Sequence, residues 1–179
     1  MPEKREVKVY KFDELSERAK KRVLEREYED ELELVENILE DGGALDYLND
    51  TLLPKYNLAI EGTPRLGWSV SYSQGDYANV SGRFIWMHNG KYYRVKAEAY
   101  RESFTAEDIT ITDDEYNDLT DYDDLYDTFK ADYNSMNKEF YHWLRSYFDD
   151  ATSEENLKAH INDNEYLFYS DGSIYNESD

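Results

Sequence analysis

Apolar residues along this chain change period twice, giving a helical opening, a strand-rich middle and a helical close. The stretch Glu6-Val-Lys-Val-Tyr-Lys-Phe12 alternates, with Val7 and Val9 on one face, and predicts a short strand. Leu15, Ala19, Val23, Tyr28, Leu32, Val35 and Leu39 then recur at helical spacing behind a cap at Asp13 or Ser16, until Asp41-Gly42-Gly43 stops the run. A second helix is expected over Ala44 to Leu53, ending before Pro54.

From Leu66 the period becomes two. Trp68, Val70 and Tyr72 alternate with serines, Gly75-Asp76 turns the chain, and a second strand covers Tyr77 to Met87. Asn89-Gly90 is a strong hairpin signal, because both central residues of a type I′ turn need positive φ. The third strand, Lys91 to Tyr100, sets Tyr93, Val95, Ala97 and Ala99 on one face and Tyr92, Arg94, Lys96 and Glu98 on the other. Asp108 to Thr112 reads as an edge strand or a loop.

Helical spacing then returns through Leu119, Tyr122, Tyr126, Phe129, Tyr133, Met136, Phe140, Leu144 and Tyr147, the seam of a long amphipathic helix. A short helix capped by Thr152 or Ser153 brings Leu157 and Ile161 together, and Glu165 to Tyr175 reads as a small hairpin around Asp171-Gly172. The fold class that follows is α+β: an antiparallel β-meander of about three to five strands packed against a long C-terminal helix and an N-terminal helical pair. One domain over residues 1–179 is expected, the size being sufficient for a real core.

Charge changes this picture most in the last part. Residues 1–60 hold 16 acidic and 10 basic residues, 61–104 hold 4 and 6, and 105–179 hold 21 and 4, which places most of the net −21 in the C-terminal segment. That partition suggests a mostly internal sheet and a negative surface carried by C-terminal helices. The 18 Tyr among 16% aromatic residues are too much apolar surface for a disordered acidic tail. With no Cys, thiol chemistry and disulfides are excluded. The first residues lack an apolar leader and no run approaches the length of a bilayer span, so a cytoplasmic protein with no membrane partner is expected. An acidic chain also repels phosphates, which argues against direct nucleic-acid binding.

The candidate binding residues are Asp113, Asp114, Glu115, Asp118, Asp121, Asp123, Asp124, Asp127 and Asp132, with Tyr122 and Tyr126 at their margin. Several of these carboxylates stand three or four apart on the expected helix, where like charges repel by a few tenths of a kcal/mol per pair. Placed from Asp118 to Asp132 on one helix they would average one charge per ~3.5 Å, close to the phosphate spacing of a DNA strand. The plainer explanation is a solvated face that keeps the protein in solution. The aromatic seam is best read as core, although Tyr also suits interfaces.

An EF-hand loop is not matched, since Asp113 to Asp124 has Asp118 at the sixth position and Asp rather than Glu at the end. His88, His142 and His160 are far apart, so no metal or other cofactor is expected. With no nucleophile elbow, phosphate loop or dinucleotide fingerprint, the reading is not an enzyme, and a carboxylate-bound metal hydrolase is the weakest alternative.

Two stretches, Val9-Tyr-Lys-Phe-Asp-Glu-Leu-Ser-Glu-Arg-Ala-Lys-Lys-Arg-Val23 and Ser69-Val-Ser-Tyr-Ser-Gln-Gly-Asp76, resemble a group of uncharacterised small phage and prophage proteins with a YKFDELSEEAKEKA opening and a YSQGDGA hairpin. Tyr77 stands where that pattern has Gly, and the acidic second half has no counterpart in it. The resemblance implies a mobile-element protein acting inside a bacterium. The expected function is an acidic inhibitor, of anti-CRISPR or anti-restriction type, that mimics DNA on a basic host protein such as a CRISPR effector or other nuclease. The alternative is an antitoxin-like or accessory interaction module with a Tyr-rich docking surface, charge serving solubility. The Tyr seam leaves a homodimer open.

Overall fold

The computed structural model describes residues 7–71, 74–100 and 103–176. Chain order is α1 (Glu17–Ile38), α2 (Ala44–Tyr47), α3 (Leu53–Lys55), β1 (Leu58–Ser69), β2 (Tyr77–His88), β3 (Lys91–Ala99), β4 (Ala106–Thr112), α4 (Asp123–Ala151) and α5 (Glu154–Asp163). The expected α+β class holds, with N-terminal helix, antiparallel sheet and C-terminal helices all present. The chain forms two compact units, residues 39–146 and residues 1–38 with 147–179. Their boundaries cut across the three charge segments.

In the contiguous unit the four strands lie in the order β1-β2-β3-β4, each antiparallel to the next. Asn89 and Gly90 close the β2–β3 hairpin at φ 50° and 75°, the left-handed pair that their residue types accept. Strand β1 starts eight residues earlier than the alternation predicted, at Leu58 rather than Leu66. The reason is a bulge: pairing jumps from Glu61↔Arg83 to Arg65↔Ser81, so Gly62-Thr63-Pro64, which reads as a turn, is an interruption within an edge strand. Tyr72 and Ser73 of the expected first strand lie outside the described residues, as does the segment Met1–Glu6. The ambiguous stretch before Thr112 is a strand, paired with β3.

One face of the sheet is covered by α4. Phe129, Tyr133, Met136, Phe140 and Leu144 are all fully buried, as are Phe84, Val80 and Ala97 of the sheet. Phe84 meets Tyr133 edge-on, Trp86 meets Phe129, and Trp68 meets Phe140. Each such side chain contributes ~1.5–3 kcal/mol by leaving water. Two polar side chains buried between helix and sheet are satisfied: the Tyr133 hydroxyl donates to the Val80 carbonyl at 2.6 Å, and Asn137 accepts from Val80 N–H while donating to the Phe104 carbonyl.

The aromatic seam is shorter than its spacing predicted. Helix α4 begins at Asp123, so Leu119 and Tyr122 lie before it, and Tyr147 is 38% exposed. The second helical stretch also departs from expectation, because it continues through Pro54 to Lys55. A wide π-type turn, Leu48–Leu52, precedes it, where a residue without N–H is more easily seated.

In the other unit, Phe12, Leu15, Ala19, Val23, Ile161 and Phe168 form one core. Ser16 caps α1 by accepting from Ala19 N–H, and Ser153 caps α5 by accepting from Asn156 N–H. The strand expected before Phe12 is reduced to one bridge, Tyr10↔Phe168, because the chain turns into a 3-10 segment at Phe12–Glu14 whose Glu14 carboxylate accepts from Lys11 N–H. The C-terminal hairpin is present, with Phe168 bridged to Ile174. Its Gly172 has φ 91°, and a Cβ there would lie 2.9 Å from the Ala19 carbonyl oxygen, so only glycine fits.

Candidate functional site

The candidate carboxylates fall into three environments. Asp113 and Asp118 turn back on the β4–α4 connection. Asp113 accepts from Glu115 N–H at 3.0 Å, from Asn117 N–H at 2.9 Å and from the Asn117 amide at 2.9 Å. Asp118 accepts from Thr120 N–H and from its hydroxyl, at 2.9 and 2.6 Å. The Asn117 and Thr120 side-chain bonds, reinforced by those backbone N–H groups, hold both carboxyls below their ordinary range. Further bonds, Leu119 N–H to the Ile111 carbonyl and Ile111 N–H to Thr120 Oγ1, fasten the connection to the sheet.

Asp132 is different again. It is half-buried on α4, and desolvation raises its pKa, partly offset by His88. His88 itself stacks on Trp86 and meets the Asn89 amide at 3.1 Å.

The third group faces water. Asp114, Glu115, Asp121, Asp123, Asp124 and Asp127 are exposed, and none of them forms an ion pair among the described residues. Asp123 and Asp124 occupy the first turn of α4, where the helix dipole favours a negative charge by ~0.3–1 kcal/mol and offsets their repulsion with Asp127, four and three residues on. The single rod of evenly spaced charges expected from Asp118 to Asp132 is therefore corrected. Asp118 and Asp121 precede the helix, Asp118 is engaged by Thr120, and the display is a loop followed by one helical end. Elsewhere in the C-terminal segment Glu139 is paired, accepting from Lys55 at 2.6 and 2.7 Å and from the Tyr56 hydroxyl at 2.9 Å. Those partners lower the Glu139 pKa, and the Tyr56 hydroxyl is pushed up to about 12 by burial and its carboxylate neighbour.

Aromatic rings border the exposed acids. Tyr122 is 61% exposed and Tyr126 half-buried under the Lys130 ammonium, 5.7 Å from the ring centre. Tyr92, 63% exposed, belongs to the same surface, whereas Tyr116, 70% exposed, lies under the Arg94 guanidinium; neither was among the sequence candidates. Strand alternation placed Tyr92 on the face away from the core, which was signal enough. Tyr116 had none, since its outward stance depends on a left-handed backbone, φ 64°. A concave surface of about 560 Å3 lies among Tyr92, Tyr93, Tyr122, Asp113, Asp114 and Lys91.

This arrangement suits a cationic side chain: ring faces attract it and neighbouring carboxylates accept its hydrogen bonds. Among the described residues no three His, Asp or Glu side chains are grouped to hold a metal ion, and no helix is long and apolar enough to cross a membrane. No family model, no curated protein and no solved structure matches the chain.

Proposed function

We propose that this chain is a non-enzymatic, phage-type inhibitor that binds the basic nucleic-acid surface of a host defence protein, such as a CRISPR effector or a restriction nuclease, in the bacterial cytoplasm. The observation that carries the reading is the set of exposed carboxylates from Asp114 to Asp127 that make no ion pair among the described residues, presented on a braced loop and a helix end beside Tyr92 and Tyr122. Lys and Arg that a nuclease reserves for phosphates would meet carboxylates there, with rapid, steered association that weakens as salt rises. Bracing matters because a loop already ordered loses little entropy on binding.

The same exposed tyrosines support a second reading, an antitoxin-like or accessory module that docks through aromatic contacts while the charge maintains solubility. The two differ in salt dependence.

The test is capture of partners from bacterial lysate at low and high salt, followed by competition with DNA or guide RNA. Retention of a nuclease at low salt and its release by nucleic acid is the expected result. Retention indifferent to both salt and nucleic acid would replace the first reading by the second. Metal-dependent turnover of a nucleotide or ester would overturn both.

A further inference from the structure

The outer face of the sheet gathers cations on a chain of net −21. Strand register sets Glu61, Arg83, Lys96 and Thr110 in one transverse row, with Arg94 in the next. Cross-strand partners share a face, so these side chains project together. With Tyr116 they line a cavity of about 430 Å3.

The polar groups there are incompletely satisfied. Arg94 lies over the Tyr116 ring at 4.6 Å, and its Nε is 3.9 Å from Glu61. Its Nη1 is buried and has no acceptor. Arg83 is exposed and makes no ion pair among the described residues, whereas Lys96 reaches Glu98 at 3.3 Å. Within the cavity lining three cations therefore face one carboxylate, Glu61, while Lys96 is drawn to Glu98 beside it, and one buried guanidinium donor and one whole guanidinium are left over. Guanidinium N–H groups arranged as a fork match the oxygens of a phosphate, and the Thr110 hydroxyl stands at the same rim.

We propose that this cavity binds a compact phosphate group, either the free ion or the phosphate of a small ester. The net charge of the protein works against any long polyanion, whose remote phosphates would meet the acidic segments, so a small ligand is selected. The proposal is independent of the acidic surface and of the inhibitor reading.

Side-chain and backbone NMR of the full chain, titrated with inorganic phosphate and, separately, with ribose 5-phosphate against chloride at matched ionic strength, tests it. Saturable shifts at the Arg83 and Arg94 Nε–H groups and in β2 to β4 are expected. Tighter binding of the ester would assign the remaining volume to the organic part, and equal affinity would assign the site to the free ion; both support the proposal. Arg94→Gln should weaken binding about tenfold, the loss of one charge-assisted contact. Because Arg94 also packs on Tyr116, Arg83→Gln, at an exposed side chain with no ion pair, serves as the variant that leaves folding intact, and it should weaken binding several-fold. Glu61→Gln should tighten it. Absence of saturation, or an affinity unchanged in both arginine variants, would overturn the site.

Discussion

The leading turns of α4 and its middle use the same residue types to opposite ends. Tyr133 is fully buried and its hydroxyl is committed to the Val80 carbonyl, whereas Tyr122, one residue before the helix, is 61% exposed. Asn137 closes two backbone groups inside the core, while Asp121, Asp124 and Asp127 face solvent with no cation at ion-pair distance among the described residues. The difference teaches that the acidity of the C-terminal segment is not a property of its fold. Stability resides in the middle of the helix, and Asp121, Asp124 and Asp127 stand where little structure depends on them.

Removing the middle should have the largest effect. Phe140→Ala leaves a cavity between α4 and the sheet and should cost ~3–5 kcal/mol in urea unfolding. Asn137→Ala deprives Val80 N–H and the Phe104 carbonyl of their partner and should cost about 1–3 kcal/mol per orphaned group. A loss under ~0.5 kcal/mol from either would remove the contrast between the two stretches. By comparison, Asp121→Asn, Asp124→Asn and Asp127→Asn together should move stability by only a few tenths of a kcal/mol, upward where like charges are relieved and downward where the helix dipole loses Asp124. That triple variant should nevertheless bind a basic partner much more weakly, and undiminished capture would sever the acids from function.

The smallest effect separates carboxylates within the site. Carbon-13 NMR of the side-chain carboxyls should show Asp113 and Asp118 titrating below the ordinary aspartate range and Asp132 above it. The signs follow from linkage. Asp113 and Asp118 bind protons less readily when folded, so their contribution is present above the unfolded pKa and is lost as pH falls through the folded value. Asp132 binds its proton more readily when folded, and its contribution is present at low pH and lost as pH rises through its folded value. Identical titration of all three would mean that the loop is not braced by its own carboxylates.

Sequence pattern revealed what depends on neighbours in the chain. Asn89-Gly90 encodes its turn locally, the inward face of β3 follows from alternation, and Phe129 to Leu144 keep helical spacing because one stripe is buried throughout. Where side chains bond to their own backbone, spacing misled. Leu119 and Tyr122 continue the helical period, yet Asp113 and Asp118 offer the backbone other partners and the connection forms a loop. The β1 bulge was illegible for a related reason, since Gly62-Thr63-Pro64 resembles a turn unless the opposite strand is known. Among the candidate carboxylates, composition showed how many there are but not which face outward, which depends on Asn117, Thr120 and the burial around Asp132.

The Gly172 contact with Ala19 has a consequence for biosynthesis. Helix α1 leaves the ribosome early, but the hairpin that covers it, together with Ile161 and Phe168 of its core, is translated only after the whole 39–146 unit. The sheet unit can therefore fold while the nascent chain is still tethered, and the first helix waits, with Phe12, Leu15 and Val23 uncovered, until the hairpin emerges. Premature termination before Phe168 should release a polypeptide whose sheet is formed and whose opening helix is prey to chaperones and proteases.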